Sequence, residues 1–157
     1  ENREIPPLRY EDVYRLKSEY PQLTIDINGG VTRIDQIRKH LQNVDGVMVG
    51  RAAYEDPFLF ATIDQEFYSS RKLCPTRREI IEGTIAYAEM WLEKGIGLRI
   101  ICRHLIGLMK GCKGAKRWRR VLSEGFCKGQ AGTEVVLKAI EVVPDNVLDH
   151  RPSSKHA

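Results

Sequence analysis

The sequence has no apolar run long enough to cross a membrane and no pair of cysteines at the spacing of a metal site. Charged residues interrupt every hydrophobic stretch well before the roughly 18 residues that a membrane-spanning helix needs, and nothing resembles a secretion signal. The four cysteines, Cys74, Cys102, Cys112 and Cys127, form no Cys-x-x-Cys pair and have no histidine at ligand spacing. We therefore expect a cytoplasmic protein without a metal, whose thiols are reduced and mostly buried.

The composition is that of a folded protein. The 157 residues are 42% hydrophobic and 29% charged, which argues against disorder and fits a globular domain. A formal net charge of +4 is too small to indicate a nucleic-acid partner by itself. The distribution of the charges along the chain is therefore more informative than their sum.

Two short apolar runs in the first third of the chain each end in glycine. The first covers residues 23–27 and leads into Asn28, Gly29 and Gly30, and the second covers 47–49 and leads into Gly50 and Arg51. The residues between them, 31–43, repeat apolar side chains at helical spacing, as the crossover between two parallel strands requires. After a first helix over about residues 10–19, we expect a strand–loop–helix–strand–loop unit.

Glycine loops at the carboxyl ends of parallel strands are typical of phosphate sites, because backbone N–H groups can approach an anion where no Cβ intervenes. Arg51 would add a charge-assisted contact. Asn28-Gly29-Gly30 taken alone is better explained by a turn, and it is the second glycine loop that favours a ligand. The spacing fits a flavin mononucleotide and a phosphorylated substrate alike.

The fold class that these patterns predict is α/β followed by all-α. Two strands cannot bury both faces of a parallel sheet, so we expect the last strands of a β/α (TIM) barrel whose earlier strands precede Glu1. The expected domains are 1–65 for the barrel part, 66–75 for a linker, 76–143 for a helical bundle and 144–157 for a flexible tail. Such a chain, expressed alone, is expected to aggregate or to fold only in part.

Helical patterns fill the second half of the chain. Thr76 and Glu79 have the spacing of a capping box at the start of a helix that extends to about residue 94. Further helices are expected over 98–109, 115–123 and 132–142.

The most basic segment, residues 110–120, has six positive charges and no acid. A helix from about residue 115 puts Lys116, Arg119 and Arg120 on one face. Trp118 lies on another face and is expected in the core. A solvated surface explains such a charge run about as well as a bound polyanion does.

Four segments together resemble the C-terminal portion of bacterial tRNA-dihydrouridine synthases of the A type. They are residues 1–8, 27–30, 45–54 and 114–123, in the same order as in that family. The resemblance implies an enzyme that binds FMN at the mouth of a β/α barrel and uses NADPH to reduce uridines 20 and 20a in the D-loop of tRNA.

The resemblance also implies site residues. The family's FMN contacts fall on Asn28, Gly29, Gly30, Gly50 and Arg51, and its tRNA contacts fall on Arg3, Lys116 and Arg119. Lys116 stands where we expect arginine in relatives, which keeps the charge and loses the planar fork. The family's proton donor is a cysteine that would precede Glu1, so no catalytic residue is assigned and the chain alone is expected to be inactive.

Two other hypotheses stay open. The chain is alternatively a stand-alone helical RNA-binding module with a barrel remnant, which predicts tRNA binding without flavin. A third hypothesis is another FMN- or phosphate-binding barrel oxidoreductase, which predicts flavin binding that is indifferent to tRNA. The sequence predicts no oligomeric state.

Overall fold

The structure is a computed structural model that describes residues 7–127 and 131–153. Arg3, a predicted tRNA contact, lies outside the described residues. The chain divides into two compact units, Glu1–Ala53 and Tyr54–Ala157. Helices predominate, and the described residues contain one small sheet of two parallel strands.

The first unit has the predicted order of elements. Helix α1 (Tyr10–Glu19) precedes strand β1 (Asp26–Asn28), helix α2 (Ile34–Leu41) and strand β2 (Gly46–Met48). The strands are parallel, with Asp26 opposite Gly46, Ile27 opposite Val47 and Asn28 opposite Met48. The buried apolar side chains of this unit are Ile27, Val31, Ile37, Val44 and Ala52. The crossover predicted from the helical spacing of 31–43 is confirmed.

Strand β1 begins three residues later than the predicted start at Leu23. The Nζ of Lys17 donates to the carbonyl oxygen of Leu23 at 2.6 Å and pairs with the carboxylate of Asp45 at 2.8 Å. The same carboxylate accepts from the backbone N–H of Ile25 at 2.8 Å. The side chains of Lys17 and Asp45 therefore bind backbone groups of residues 23 and 25 that a strand beginning at Leu23 would need for pairing.

The second unit is helical. It begins within helix α3 (Arg51–Glu55), whose last two residues belong to it. The elements that follow are, in order, a 3-10 segment (Pro57–Thr62), α4 (Ile63–Phe67), α5 (Arg77–Leu92), α6 (Leu98–Cys102), a second 3-10 segment (Arg103–Gly107), α7 (Ala115–Phe126), α8 (Glu134–Ile140) and α9 (Asp145–Leu148). Its core includes fully buried side chains from five of these helices and from the turn after the second 3-10 segment: Ile81, Leu98, Leu108, Met109, Trp118, Leu122, Val136 and Leu148.

The start of α5 is as predicted, and the helix expected over 98–109 is not continuous. Thr76 Oγ1 accepts from the N–H of Glu79 at 3.2 Å, and a Glu79 carboxylate oxygen accepts from the N–H of Thr76 at 2.8 Å. Helix α6 ends at Cys102 and tightens into 3-10 geometry. In that stretch the carbonyl oxygen of Leu105 accepts the indole N–H of Trp118 at 2.8 Å, which binds the segment to α7.

The prediction of a flexible tail from residue 144 is wrong for the described part of that segment. Helix α9 lies there, and its Leu148 is 1% exposed. The guanidinium of Arg78 binds Asp145 at 2.6 Å and Asp149 at 2.5 Å, and Arg151 binds a carboxylate of α5 at 2.6 Å. These partners are 67 to 72 residues apart in sequence, so local composition gave no sign of them.

The division between the units falls before the linker that we expected at 66–75. Phe58 packs against the core of the second unit, and the guanidinium of Arg77 lies 3.6 Å from the centroid of its ring. The buried thiol of Cys74 donates to Gln65 at 2.9 Å. These contacts join residues 57–75 to the second unit, and the limits 1–65 and 76–143 stay a prediction for the functional domains.

The close packing of α7 against α8 requires a residue without a side chain at Gly125. A Cβ there would lie 2.2 Å from Cγ1 of Val135, so Gly125→Ala should lower the free energy of unfolding by about 1–3 kcal/mol through overpacking. The matched control is Gly83→Ala on α5, where a Cβ meets nothing within 4 Å. It should raise stability by up to about 1 kcal/mol. Urea unfolding followed by tryptophan fluorescence measures both, and equal effects would contradict the packing argument.

Candidate phosphate loops and nucleic-acid interface

The two predicted glycine loops leave the sheet at the same edge. Asn28, the last residue of β1, lies opposite Met48, the last residue of β2, and the strands are parallel. The backbone of Gly29 and Gly30 and that of Gly50 therefore follow adjacent strand ends. This is the arrangement that the sequence predicted for an anion site.

The first loop is held by α1 and by the residues before it. Gly29 has φ +133° and Gly30 has φ +62°, backbone conformations that other residues adopt only under strain. The hydroxyl of Tyr10 donates to the carbonyl oxygen of Gly29 at 2.7 Å. A Cβ on either glycine would lie 3.0 Å from a methyl carbon of Leu8. Both glycines therefore have a structural role in addition to any contact with a ligand.

The second loop is more open. A Cβ on Gly50 would approach only the sulfur of Met48, at 3.7 Å. The carbonyl oxygen of Gly50 accepts from the N–H of Ala53 at 3.0 Å, which starts α3. Arg51, the first residue of that helix, is exposed. The loop thus offers accessible backbone and one cation at the sheet edge.

A histidine and two tyrosines fasten α1 to α2 behind the first loop. The hydroxyl of Tyr14 lies 2.6 Å from Nδ1 of His40, and the ring of Tyr10 meets the imidazole edge-on with centroids 4.6 Å apart. Burial lowers the pKa of His40 and raises that of Tyr14. Both shifts favour a phenol that donates to a neutral imidazole. The chain Tyr14–His40–Tyr10 leads directly to the Gly29 carbonyl.

The lowered pKa of His40 predicts acid sensitivity in the first unit. The unfolded chain binds the imidazole proton near the ordinary pKa of 6.5, whereas the folded chain binds it only at lower pH. Stability is therefore complete above about pH 6.5 and falls as the pH drops towards the folded pKa. NMR titration of the His40 ring should give a pKa below 6.5 in the folded chain and the ordinary value in urea. A folded pKa at or above 6.5 would contradict the arrangement.

The basic segment becomes an exposed face on α7. Trp118, Leu122 and Phe126 are buried on the inner side, while Lys116 and Arg119 are exposed. The prediction that Trp118 lies in the core is confirmed. Gly114, with φ +90°, makes the turn that starts the helix.

Acids from outside the segment match two of its six charges. Arg120 pairs with Glu124 at 2.7 Å, and Lys110 pairs with Glu55 at 3.2 Å. Within residues 7–127 and 131–153, Lys116 and Arg119 have no carboxylate partner. We call these two side chains, which share the exposed side of α7, the cationic face. Glu124 was visible from its i, i+4 spacing, whereas Glu55 is 55 residues from Lys110 and gave no signal.

The thiols of the chain are divided between the core and the surface. All four cysteines belong to the second unit. Cys74 and Cys102 are buried, Cys112 is half-buried and Cys127 is exposed, so the thiols are less buried than expected. Burial raises the pKa of the Cys102 thiol to about 11. The described residues hold no group of three or more His, Cys, Asp or Glu side chains placed to bind a metal, and none of their helices is long and apolar enough to cross a membrane.

Comparisons with known proteins identify the family of the chain. A family model described as dihydrouridine synthase matches residues 1–143. The chain belongs to the dihydrouridine synthase family.

Several curated relatives carry the name tRNA-dihydrouridine(20/20a) synthase, three of them from Synechocystis, Haemophilus ducreyi and Shewanella oneidensis. The protein from Synechocystis is 53% identical over 141 residues, which are 90% of this chain and 42% of the relative. The protein from Haemophilus ducreyi is 51% identical over 92% of this chain and 45% of its own length. The protein from Shewanella oneidensis is 49% identical over 94% of this chain and 44% of its own length. The chain thus spans less than half the length of these relatives.

Proposed function

We propose that this chain is part of a tRNA-dihydrouridine(20/20a) synthase, a flavin-dependent enzyme that uses NADPH to reduce uridines 20 and 20a in the D-loop of tRNA. The observation that carries the proposal is the pair of glycine loops at one edge of a parallel strand pair, followed in the second unit by the cationic face. Three relatives of that name, whose sequences are 49–53% identical to this chain over the matched residues, support it. In this proposal β1 and β2 belong to a β/α barrel and the second unit binds tRNA.

The loops are suited to the phosphate of FMN. Gly50 presents backbone without a side chain, Arg51 presents an exposed cation, and Asn28 ends β1 with an exposed amide. Gly29 and Gly30 hold the first loop in its left-handed turn, where their N–H groups follow the strand end. In the bound state FMN would supply hydride transfer between NADPH and the uracil ring. The role of these five residues would be to bind and orient the phosphate.

The cationic face is suited to the tRNA backbone. Lys116 is a compact charge on a flexible stem, and Arg119 offers a planar fork to a phosphate. Neither has to break an ion pair with a described carboxylate before it binds. Arg3 is proposed as a third contact by the family resemblance alone. The target base would have to leave the tRNA stack to reach a flavin.

No catalytic acid is proposed among the described residues. The four thiols belong to the second unit, whereas the glycine loops belong to the first. Because tRNA is the proposed substrate, we place the protein in the cytoplasm.

The flavin part of the proposal predicts a role for Arg51. The open reading frame that contains these residues, expressed in a strain without its own tRNA-dihydrouridine(20/20a) synthase, should restore dihydrouridine at those positions and purify with bound FMN. Arg51→Gln removes one charge-assisted contact, so it should weaken FMN binding by roughly 10-fold. Flavin released from the purified protein and dihydrouridine in its tRNA measure both effects.

The control for Arg51 is Arg15→Gln, which removes an exposed cation from α1 in the same unit. It should leave the flavin content unchanged. Equal flavin loss in both variants, or wild-type protein without flavin, would contradict the assignment of the loops.

The tRNA part predicts a difference between neighbouring cations of α7. Lys116→Gln and Arg119→Gln should each weaken tRNA binding and reduce the slope of log affinity against log salt by about 1, since each loses one phosphate contact. Arg120→Gln removes the same charge from the same helix but a side chain already paired with Glu124, so its effect should be smaller. Fluorescence anisotropy with a labelled tRNA transcript measures these differences.

The outcomes also separate the competing hypotheses. Equal losses in all three variants would mean that net charge alone attracts the RNA. Strong tRNA binding by a protein that never acquires flavin would favour an RNA-binding module. Flavin binding with activity that is insensitive to Lys116 and Arg119 would favour an oxidoreductase of another kind.

A further inference from the structure

The second unit contains a cleft of about 720 Å³ that is lined by a solvent-exposed tyrosine ring and three cations. Its lining includes Tyr54, Arg103, His104, Lys110 and Arg119. Ligand pockets span roughly 300–1,000 Å³, so the cleft has room for a nucleotide. Among these residues, only Arg119 was predicted from the sequence as a specific tRNA contact.

The ring of Tyr54 is held in place and remains accessible. The side chain is 64% exposed. Its ring meets the imidazole of His104 in an edge-to-face arrangement with centroids 4.9 Å apart. Arg103 Nε donates to Nε2 of that imidazole at 3.2 Å, which requires a histidine that accepts at this nitrogen. The histidine supports the tyrosine, and the exposed part of the tyrosine ring is left for a ligand.

Backbone packing fixes the position of this tyrosine as well. A Cβ on Gly107 would lie 2.7 Å from the carbonyl oxygens of both Tyr54 and Glu55. The 3-10 segment can therefore pass this close to the end of α3 only because residue 107 is glycine. Tyr54 sits on a rigid support, which lowers the entropic cost of using its ring as a binding surface.

The cleft contains cations that no described carboxylate neutralises. Lys110 is matched by Glu55 at 3.2 Å. Arg103 and Arg119 have no carboxylate partner within the part of the chain that the structure describes. Two cations therefore remain beside one stacking surface, and a nucleotide chain carries one phosphate on each side of every base.

We propose that this cleft binds one unpaired nucleotide of RNA, with the base stacked on Tyr54 and the adjacent phosphates on Arg103 and Arg119. The inference rests on the proposed RNA-binding function and adds a specific base-stacking site to it. Aromatic side chains stack on any base, but only where the base is free of its neighbours. The site therefore selects single-stranded RNA over a duplex, whose bases are stacked inside.

The test compares three RNAs by fluorescence anisotropy with the protein expressed from the open reading frame that contains these residues: a tRNA transcript, a short oligouridine and a blunt-ended RNA duplex. Tyr54→Leu should weaken binding of the oligouridine and the tRNA by roughly 5- to 150-fold, as expected for loss of one stacked base. Duplex binding and the salt slope should not change, because no phosphate contact is lost. Tyr54→Trp should retain affinity.

The matched control is Tyr68→Leu, which removes another tyrosine of the same unit with a 76% exposed side chain and should leave all three affinities unchanged. Equal affinities of the Tyr54→Leu and Tyr68→Leu proteins would overturn the stacking site. An equal loss of affinity for the duplex and for the oligouridine in the Tyr54→Leu protein would overturn the selectivity.

A second measurement needs no variant that must fold. Irradiation of the wild-type chain with a 5-iodouridine oligonucleotide should crosslink the peptide that contains Tyr54, identified by mass spectrometry. Crosslinks confined to other peptides would overturn the inference. If the chain binds tRNA through Lys116 and Arg119 and shows no dependence on Tyr54, only this inference fails. If it binds none of the three RNAs, the proposed RNA-binding function fails as well.

Discussion

The hydrogen bond from the Trp118 indole to the carbonyl oxygen of Leu105, 2.8 Å long, is the contact on which the second unit depends. Trp118 is fully buried, and deletion of a buried aromatic side chain typically costs about 3–5 kcal/mol. Its burial fixes the rotation of α7 about its own axis. Because the helix repeats every 3.6 residues, Lys116 and Arg119 are then directed to the surface. The same bond joins α7 to the second 3-10 segment, whose Gly107 lies against the backbone of Tyr54.

The first unit depends on a different constraint, the parallel register of two three-residue strands. A shift by one residue would move Ile27 from the buried to the exposed side, and the ends of the two glycine loops would no longer coincide. Tyr10 and His40 oppose such a shift, because α1 is joined to the Gly29 carbonyl and to α2. The contacts made by Tyr10 of α1 therefore fix the position of the first glycine loop, because glycine itself restricts the backbone little.

Residue spacing within short segments predicted the capping box and the parallel crossover. The features that were not predicted depend on contacts between residues far apart in sequence. The capping box at Thr76 and the parallel crossover required only spacing within a few residues. The late start of β1 depends on Lys17 and Asp45, which meet around a strand that separates them in sequence. Helix α9 is held by Arg78 across about 70 residues. Glycine spacing predicted the phosphate loops, whereas the aromatic cleft joins residues 54, 103, 104 and 119, whose relation no periodicity reveals.

The number of charges in a sequence segment differs from the number available to a ligand. Residues 110–120 carry six cations, yet Arg120 and Lys110 are matched by Glu124 and Glu55. A phosphate that recruits a paired cation must compete with an existing partner, while an unpaired one gains the full contact. In the folded structure, only the cations of this segment without a carboxylate partner are available to a ligand without loss of an ion pair. Because α7 is anchored by Trp118 before any ligand arrives, those contacts need little further ordering of the backbone. Lys116 and Arg119 are two of the four cations of this segment, with Lys113 and Arg117, that no described carboxylate matches.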